Sequence, residues 1–328
     1  MVRTSTLAGP GASDAAVMRI KETKRGLALS TDGNGRWCQL HPNLGAMHAV
    51  AEAARNVAAS GARPIAATNC LNFGSPEKPE VMWQFSQAID GIGEACTALG
   101  TPITGGNVSF YNETLGKSIY PTPVIGILGI LEDATKVLKS AFRTSGDVIL
   151  LLDGSAAARP VVPLWGTARE FSSSEYSKAI GGVVAGEPPA IDLAAEKRVI
   201  DCMVALAQAG TVQSAHDVSD GGLTVTVAES CFGAEGLGAE IALEGEESAE
   251  YALFGERGAR VILSVAPEKL GAVLTTAREY KVGAREIGKV TRDNALRIQY
   301  KGHSAISAPI PTLKDVWAHS LERHLKIQ

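Results

Sequence analysis

The amino-acid sequence predicts two α/β domains in series. Three observations carry this reading. The chain has 328 residues, more than a single hydrophobic core usually serves. Its composition, 45% hydrophobic with 20% charged residues, suits buried cores rather than disorder. Strand-like apolar runs alternate with amphipathic helical stretches, and one polar segment, Asp133 to Gly146, interrupts the alternation.

Residues 14–21 and 26–31 read as two β segments around the polar turn Thr23-Lys24-Arg25-Gly26. Asp32-Gly33-Asn34-Gly35-Arg36 then reads as a hairpin turn without chemistry. From Ala46 to Ala59, Met47, Val50, Ala54, Val57 and Ala58 recur at helical spacing, and Gly61 stands where a helix is closed. A strand follows at Pro64 to Thr68. The next helix runs from about Glu80 to Leu99, with Val81, Phe85, Ile89, Ile92 and Cys96 on one face and Gly100 as its stop. Strands near Pro102–Phe110 and Thr122–Leu131 complete the first domain, taken as 1–140.

The second domain, 141–328, opens on the buried strand Val148 to Leu152. A long helix from about Leu193 to Ala209, a strand ending at His216, a helix after Ser219, a strand at Ala259–Val265 and a helix through Ala277 follow. There is no low-complexity tract and no internal repeat.

Composition narrows the function. The net charge of −4, without a long Lys/Arg run, argues against nucleic acid as a partner. The five cysteines are scattered without Cys-x-x-Cys spacing, which fits reduced, buried thiols and a cytoplasmic location better than a disulfide frame or zinc site. The longest apolar runs, such as Val124 to Leu131, are too short to span a bilayer, so no membrane role is expected. The histidines lack metal-binding spacing, and His216 reads as a strand-end residue without a catalytic role.

The densest chemical signal lies in Gly61-Ala62-Arg63-Pro64-Ile65-Ala66-Ala67-Thr68-Asn69-Cys70-Leu71-Asn72-Phe73-Gly74 and in Thr104-Gly105-Gly106-Asn107-Val108-Ser109. Both run from an apolar stretch into amides, a hydroxyl and glycines, the residue types that bring a backbone close to phosphate and offer oxygen to a hard cation. Each is also an ordinary turn or loop-capping composition. Glu52 and Asn56 stand i and i+4 on the Ala46 helix, so they share a face; such a pair is either a solvated surface or a shared cation site. Asp217-Val218-Ser219-Asp220-Gly221-Gly222 precedes an apolar helix, with Ser219 or Asp220 as N-cap and free backbone N–H groups that favour phosphate.

The run from Gly9-Pro10-Gly11 to Asp133 resembles the second half of the phosphoribosylformylglycinamidine synthase family. The shared segments include Ala49-Val50-Ala51-Glu52-Ala53-Ala54-Arg55-Asn56, Asn72-Phe73-Gly74-Ser75-Pro76-Glu77-Lys78-Pro79-Glu80 and Gly105-Gly106-Asn107-Val108-Ser109. The resemblance continues through His216-Asp217-Val218-Ser219-Asp220-Gly221-Gly222-Leu223 and Leu253-Phe254-Gly255-Glu256. It implies the aminoimidazole ribonucleotide synthetase superfamily fold, an α+β architecture with a ferredoxin-like first domain forming a half-barrel and a larger α+β second domain. It also implies the reaction of formylglycinamide ribonucleotide (FGAR), ATP and ammonia to formylglycinamidine ribonucleotide, ADP and phosphate.

By the same resemblance, Asn69 and Gly106 fall at ATP contacts, Asn107 at a Mg²⁺ ligand and Ser109 at a substrate contact. Asp is frequent in the family where Asn69 stands. Asp14, Glu52, Asn56 and Asp217 match the groups that hold Mg²⁺ at an auxiliary nucleotide site, with Ser219 as a further contact. The implied partners are a first half that forms a pseudo-dimer with this one or a second copy of the chain, a glutaminase subunit and a small PurS-like subunit. Met1-Val2-Arg3-Thr4-Ser5-Thr6 resembles an internal stretch of the family, so the chain is expected to be a fragment, split-gene product or shortened form. The family's Glu-Ser-His-Asn-His-Pro segment is absent from this sequence, so no residue here is assigned catalysis. The isolated chain is expected to be inactive. The alternative is a silent nucleotide-binding module that self-associates.

Overall fold

The predicted alternation resolves into two sheets, one in each half of the chain. The computed structural model describes residues 5–9, 11–155 and 168–326. Of the segments cited for the family resemblance, Met1 to Thr4 and Pro10 lie outside the described residues.

The first half contains β1 (Thr6–Ala8), β2 (Ala16–Arg19), β3 (Gly26–Asp32), α1 (Gly35–Leu40), α2 (Pro42–Ala59), β4 (Arg63–Asn72), α3 (Pro79–Leu99), β5 (Ile103–Ser109), a small hairpin of β6 (Glu113–Thr114) and β7 (Lys117–Ser118), and β8 (Thr122–Leu131). Its sheet has the order β1-β2-β3-β8-β4-β5, with β4 and β5 parallel and the other pairs antiparallel. The expected hairpin at Asp32 to Arg36 is instead the start of α1. The Asn34 side chain accepts a hydrogen bond from Trp37 N at 3.0 Å, so the turn-forming amide serves as a helix N-cap.

Helix α2 begins earlier than its apolar pattern predicts, at Pro42, where the ring nitrogen of His41 accepts from Leu44 N. Nearly every residue of α2 is buried, because it runs between β3 and β8 of its own sheet and the segments Leu193–Ala209 and Ser214–Asp217 of the second half. Alanines at 46, 49, 51, 53, 54, 58 and 59 let both sides approach the helix closely. Among the described residues the opposite face of the sheet is uncovered. Val17, Ala28 and Ser30 are buried, while Met18, Leu27 and Leu29 are 40, 37 and 47% exposed, as the two-residue strand period requires.

The second half contains β9 (Val148–Asp153), α4 (Ala168–Phe171), α5 (Glu175–Gly181), α6 (Leu193–Ala209), β10 (Ser214–Asp217), α7 (Gly222–Phe232), β11 (Gly238–Leu243), α8 (Ala249–Phe254), β12 (Arg260–Val265), α9 (Leu270–Glu279), β13 (Gly283–Thr291), β14 (Ala295–Tyr300), β15 (His303–Pro309) and α10 (Ile310–Lys326). Its sheet order is β10-β12-β9-β13-β11-β14-β15. Helix α6 matches its expected limits, with Asp192 accepting from Ala195 N and Gly210 closing the helix. Among the described residues no helix is long and apolar enough to cross a membrane. All five cysteines are free; burial pushes the Cys38, Cys202 and Cys231 thiols up to about 12, which leaves them inert.

Candidate functional site

Helix α2 carries a polar stripe, His48, Glu52, Arg55 and Asn56, set into an Ala-rich surface and facing the second half of the chain. The solvated-face alternative for Glu52 and Asn56 is therefore excluded. His48 reaches Pro189 O at 2.7 Å. Arg55 is 2% exposed; its Nη1 donates to both Glu196 carboxylate oxygens at 2.9 Å and its Nη2 to Asp217 at 3.2 Å. Asn56 Nδ2 donates to Asp32 Oδ2 at 3.0 Å, and Asn56 Oδ1 is buried without a hydrogen-bond partner among the described residues.

From the second half, the end of β10 brings Asp217 to the same place. Its N–H donates to Asp14 Oδ2 at 2.8 Å, and His216 Nδ1 lies 2.8 Å from Asp14 Oδ1. One ligand atom each from Asp14, His216 and Asp217 lies within 4.8 Å of the others. Ser219 Oγ is 3.5 Å from Asp217 Oδ1. The fold thus assembles Asp14, Glu52, Asn56, Asp217 and Ser219 from three separate segments. It also adds three groups to which the sequence assigned no role at this site, Asp32, Arg55 and His216.

The carboxylates are strongly coupled. Removal from water, then the charge of Asp217, raises Asp32 to about 7; removal from water, partly offset by Arg55, raises Asp217 to about 6. Glu52 is held well above the ordinary carboxylate range by removal from water and then by Asp32 and Asp217. Such crowding of negative charge around Arg55, together with the orphaned Asn56 oxygen, is a donor set for a hard divalent cation, which prefers oxygen ligands. The residues present fit Mg²⁺.

The loop from Asp217 to Gly222 departs from expectation. Neither Ser219 nor Asp220 caps α7: its N-cap is Gly221, with φ of 79°, and no side chain caps it. Glu256 Oε1 accepts from Gly221 N and from Glu175 N, both at 2.8 Å, while Ser219 O accepts from Gly222 N at 2.9 Å. These two amides at the helix start are thus already committed within the chain and are not free for phosphate. Glu256 Oε2 lies 3.3 Å from Arg36 Nη2, and Arg36 Nε donates to Ser173 O at 2.7 Å, fastening α1 to the second half.

The Asn69 to Ser109 segment is divided by the sheet. Asn69 and Asp32 both register with Ile125 on β8, one from each side, and Ile125 is buried beneath the helices. Asn69 therefore projects to the helix-covered face, roughly 10 Å from Asp32 across two strand spacings. Gly106 registers with Asn69, and a Cβ at Gly106 would lie 2.0 Å from Asn69 Oδ1. Asn107 and Ser109 register with Cys70 and Asn72, one residue out of phase, and project to the other face. Ser109 Oγ pairs there with Asn112. The four residues expected to form one wall thus serve two faces.

Two α+β halves that meet along a buried polar helix define a class. The chain belongs to the AIR synthase related protein family: residues 12–131 match its N-terminal domain and residues 144–301 its C-terminal domain. It is 47% identical over 321 residues to the phosphoribosylformylglycinamidine synthase subunit PurL of Moorella thermoacetica, covering 98% of this chain and 42% of that protein. In fold it is similar to T. maritima PurL complexed with FGAR, with a TM-score of 0.76, 21% identity, and coverage of 94% of this chain and 49% of the other. T. maritima PurL complexed with ADP gives a TM-score of 0.73 at 19% identity, covering 95% and 48%. The chain thus spans less than half the length of these relatives.

Proposed function

We propose that this chain is the second half of an ATP-dependent phosphoribosylformylglycinamidine synthase, dividing near residue 140 into its two domains. The observation that carries the reading is the 47% identity to a PurL subunit along 98% of this chain. The chemistry is phosphorylation of the FGAR amide oxygen by ATP, followed by displacement of phosphate by ammonia. The partners in this reading are a first half, a glutaminase subunit and a small PurS-like subunit, in the cytoplasm.

The contribution of these residues is binding and positioning. Glu52, Asn56 and Asp217, with Asp14, would hold Mg²⁺, which neutralises phosphate charge when bound. Asp32 orients the Asn56 amide, and Arg55 keeps the surrounding carboxylates from repelling one another apart. Ser219 stands at the rim as a nucleotide contact. Asn69, on the same register row as Asp32, extends this site along the helix-covered face. Asn107 and Ser109 face the open side of the sheet, the surface that the first half would cover, where they would meet Mg²⁺ and substrate.

The test is ADP release with FGAR and ammonium, measured with the chain alone and with a separately produced first half. Activity that requires both halves supports the reading. Substrate-dependent ADP release from this chain alone, or none from the reconstituted pair, contradicts it.

A further inference from the structure

His216 lies between the cation-site carboxylates and a second acid, Glu229, that the proposed function does not use. Glu229 sits on α7 with a side chain 29% exposed, and Oε2 lies 3.1 Å from His216 Nε2. Its other oxygen, Oε1, accepts from Trp317 Nε1 at 2.8 Å, so one carboxylate links α10 to the imidazole. The opposite ring nitrogen of His216 faces Asp14 Oδ1 at 2.8 Å, and Asp14 Oδ2 receives the Asp217 N–H. The contacts form one unbroken series, Trp317, Glu229, His216, Asp14, Asp217.

We propose that Glu229 is a positioning residue of the nucleotide and cation site, fixing the His216 ring and through it Asp14, and that Trp317 extends this support to the C-terminal helix. The imidazole is hydrogen-bonded at Nε2, while its buried Nδ1 lies in close contact with Asp14 outside hydrogen-bond geometry. The hydrogen bond with Glu229 at Nε2 sets the ring orientation that directs Nδ1 at Asp14. Asp14 in turn orients the Asp217 backbone. Supporting contacts of this kind typically govern metal affinity by about 10–100-fold when removed. Trp317 is half-exposed, and Phe232 packs beside its ring at 5.5 Å, so Glu229 is braced from α10 as well as from its own helix.

The proposal rests on the reading of Glu52, Asn56 and Asp217 as a nucleotide site, and the test separates the two. ADP is titrated calorimetrically in excess Mg²⁺ into the wild-type chain, Glu229→Ala, Glu229→Gln and Asp217→Asn, with thermal melting of each. His216 ring nitrogen resonances are recorded without nucleotide. Glu229→Ala is expected to weaken ADP binding ~10-fold or more and to shift the His216 resonances. Glu229→Gln keeps a donor and an acceptor on the same frame and is expected to restore affinity to within about threefold of wild type.

Wild-type affinity and unchanged His216 resonances in Glu229→Ala, with binding lost in Asp217→Asn, would overturn the positioning role and leave the site intact. Failure of Glu229→Gln to rescue, with affinity tracking melting temperature across the variants, would reduce Glu229 to a structural contact and also overturn it. Absence of binding in the wild type, or unchanged binding in Asp217→Asn, would overturn the site and the proposal together.

Discussion

Asn56 gives an N–H to Asp32 at 3.0 Å, and this single bond decides what the other end of the amide must do. A carboxylate accepts, so the amide nitrogen faces Asp32 and Oδ1 is left buried without a partner among the described residues. An unsatisfied buried acceptor costs about 1–3 kcal/mol. A cation bound beside Asn56 relieves that cost.

The same crowding makes stability depend on pH. Asp32 at about 7, Asp217 at about 6 and Glu52 well above its ordinary value all hold protons more tightly in the folded chain than in the unfolded one, where they titrate near about 4. Their stabilising contribution is complete below the unfolded values and is lost as pH rises through the folded values. Burial opposes the charging of His216, but Asp14 and Glu229 outweigh it and raise its proton affinity, which acts in the same direction. The metal-free chain should therefore melt at a higher temperature at pH 5.5 than at pH 8. Added Mg²⁺ should stabilise it more at pH 8, where fewer protons compete. Melting scans across this range with and without Mg²⁺ measure both effects, and an opposite slope would contradict the assignment.

Glu196 is the test of the buried charge network. It accepts two bonds from Arg55 and the Ala259 N–H at 2.7 Å. Glu196→Ala leaves Asp217 as the ion-pair partner of Arg55 among the described residues, and breaking a buried pair in this way costs about 3–5 kcal/mol. Urea unfolding should show that loss; a change below about 1 kcal/mol would mean that the network is slack.

Gly106→Ala should also destabilise, by about 1–3 kcal/mol, because the new methyl group would meet Asn69 Oδ1 at 2.0 Å and Asn69 O at 2.7 Å. Strands β4 and β5 would have to separate where Asn69 is positioned. Gly105→Ala, with open space at its Cβ, is the control and should be near neutral by comparison.

The open sheet face carrying Met18, Leu27 and Leu29 gives a further expectation. In the absence of a first half, this apolar surface should drive self-association. Light scattering should report a dimer at micromolar concentration, and Leu29→Lys should shift it toward monomer. A monomeric wild-type chain would rule out this face as an association surface.

Much of this architecture was legible because periodic burial leaves a periodic sequence. Helix α6, with its Asp192 cap and terminal Gly210, and strands β8 and β9 fall within a residue of their expected limits. β15 left no such trace, being polar and small along much of its length, whereas α10 carries an apolar stripe at helical spacing that the sequence reading did not take up. The pairing of Glu52 with Asn56 was readable from helical spacing. Asp32 was not, because a carboxylate beside Gly-Asn-Gly looks like turn chemistry until β3 is paired with β8 and α2 is laid over it. Arg55 was hidden in the same way, since its partner Glu196 is 141 residues distant. The split between Asn69 and Asn107 depends on sheet register, which their shared Gly-rich context does not reveal.

The central claim is that Mg²⁺-dependent nucleotide binding centres on Glu52, Asn56 and Asp217. Calorimetric titration of ADP in excess Mg²⁺ into the wild-type chain, into Glu52→Gln combined with Asp217→Asn, and into Asn107→Ala tests it directly. Both substitutions in the double variant nearly preserve volume while removing negative charge. The double variant should lose most ADP affinity with its fold retained, and Asn107→Ala should bind as the wild type does. Unchanged affinity in the double variant, with binding abolished in Asn107→Ala, would contradict it.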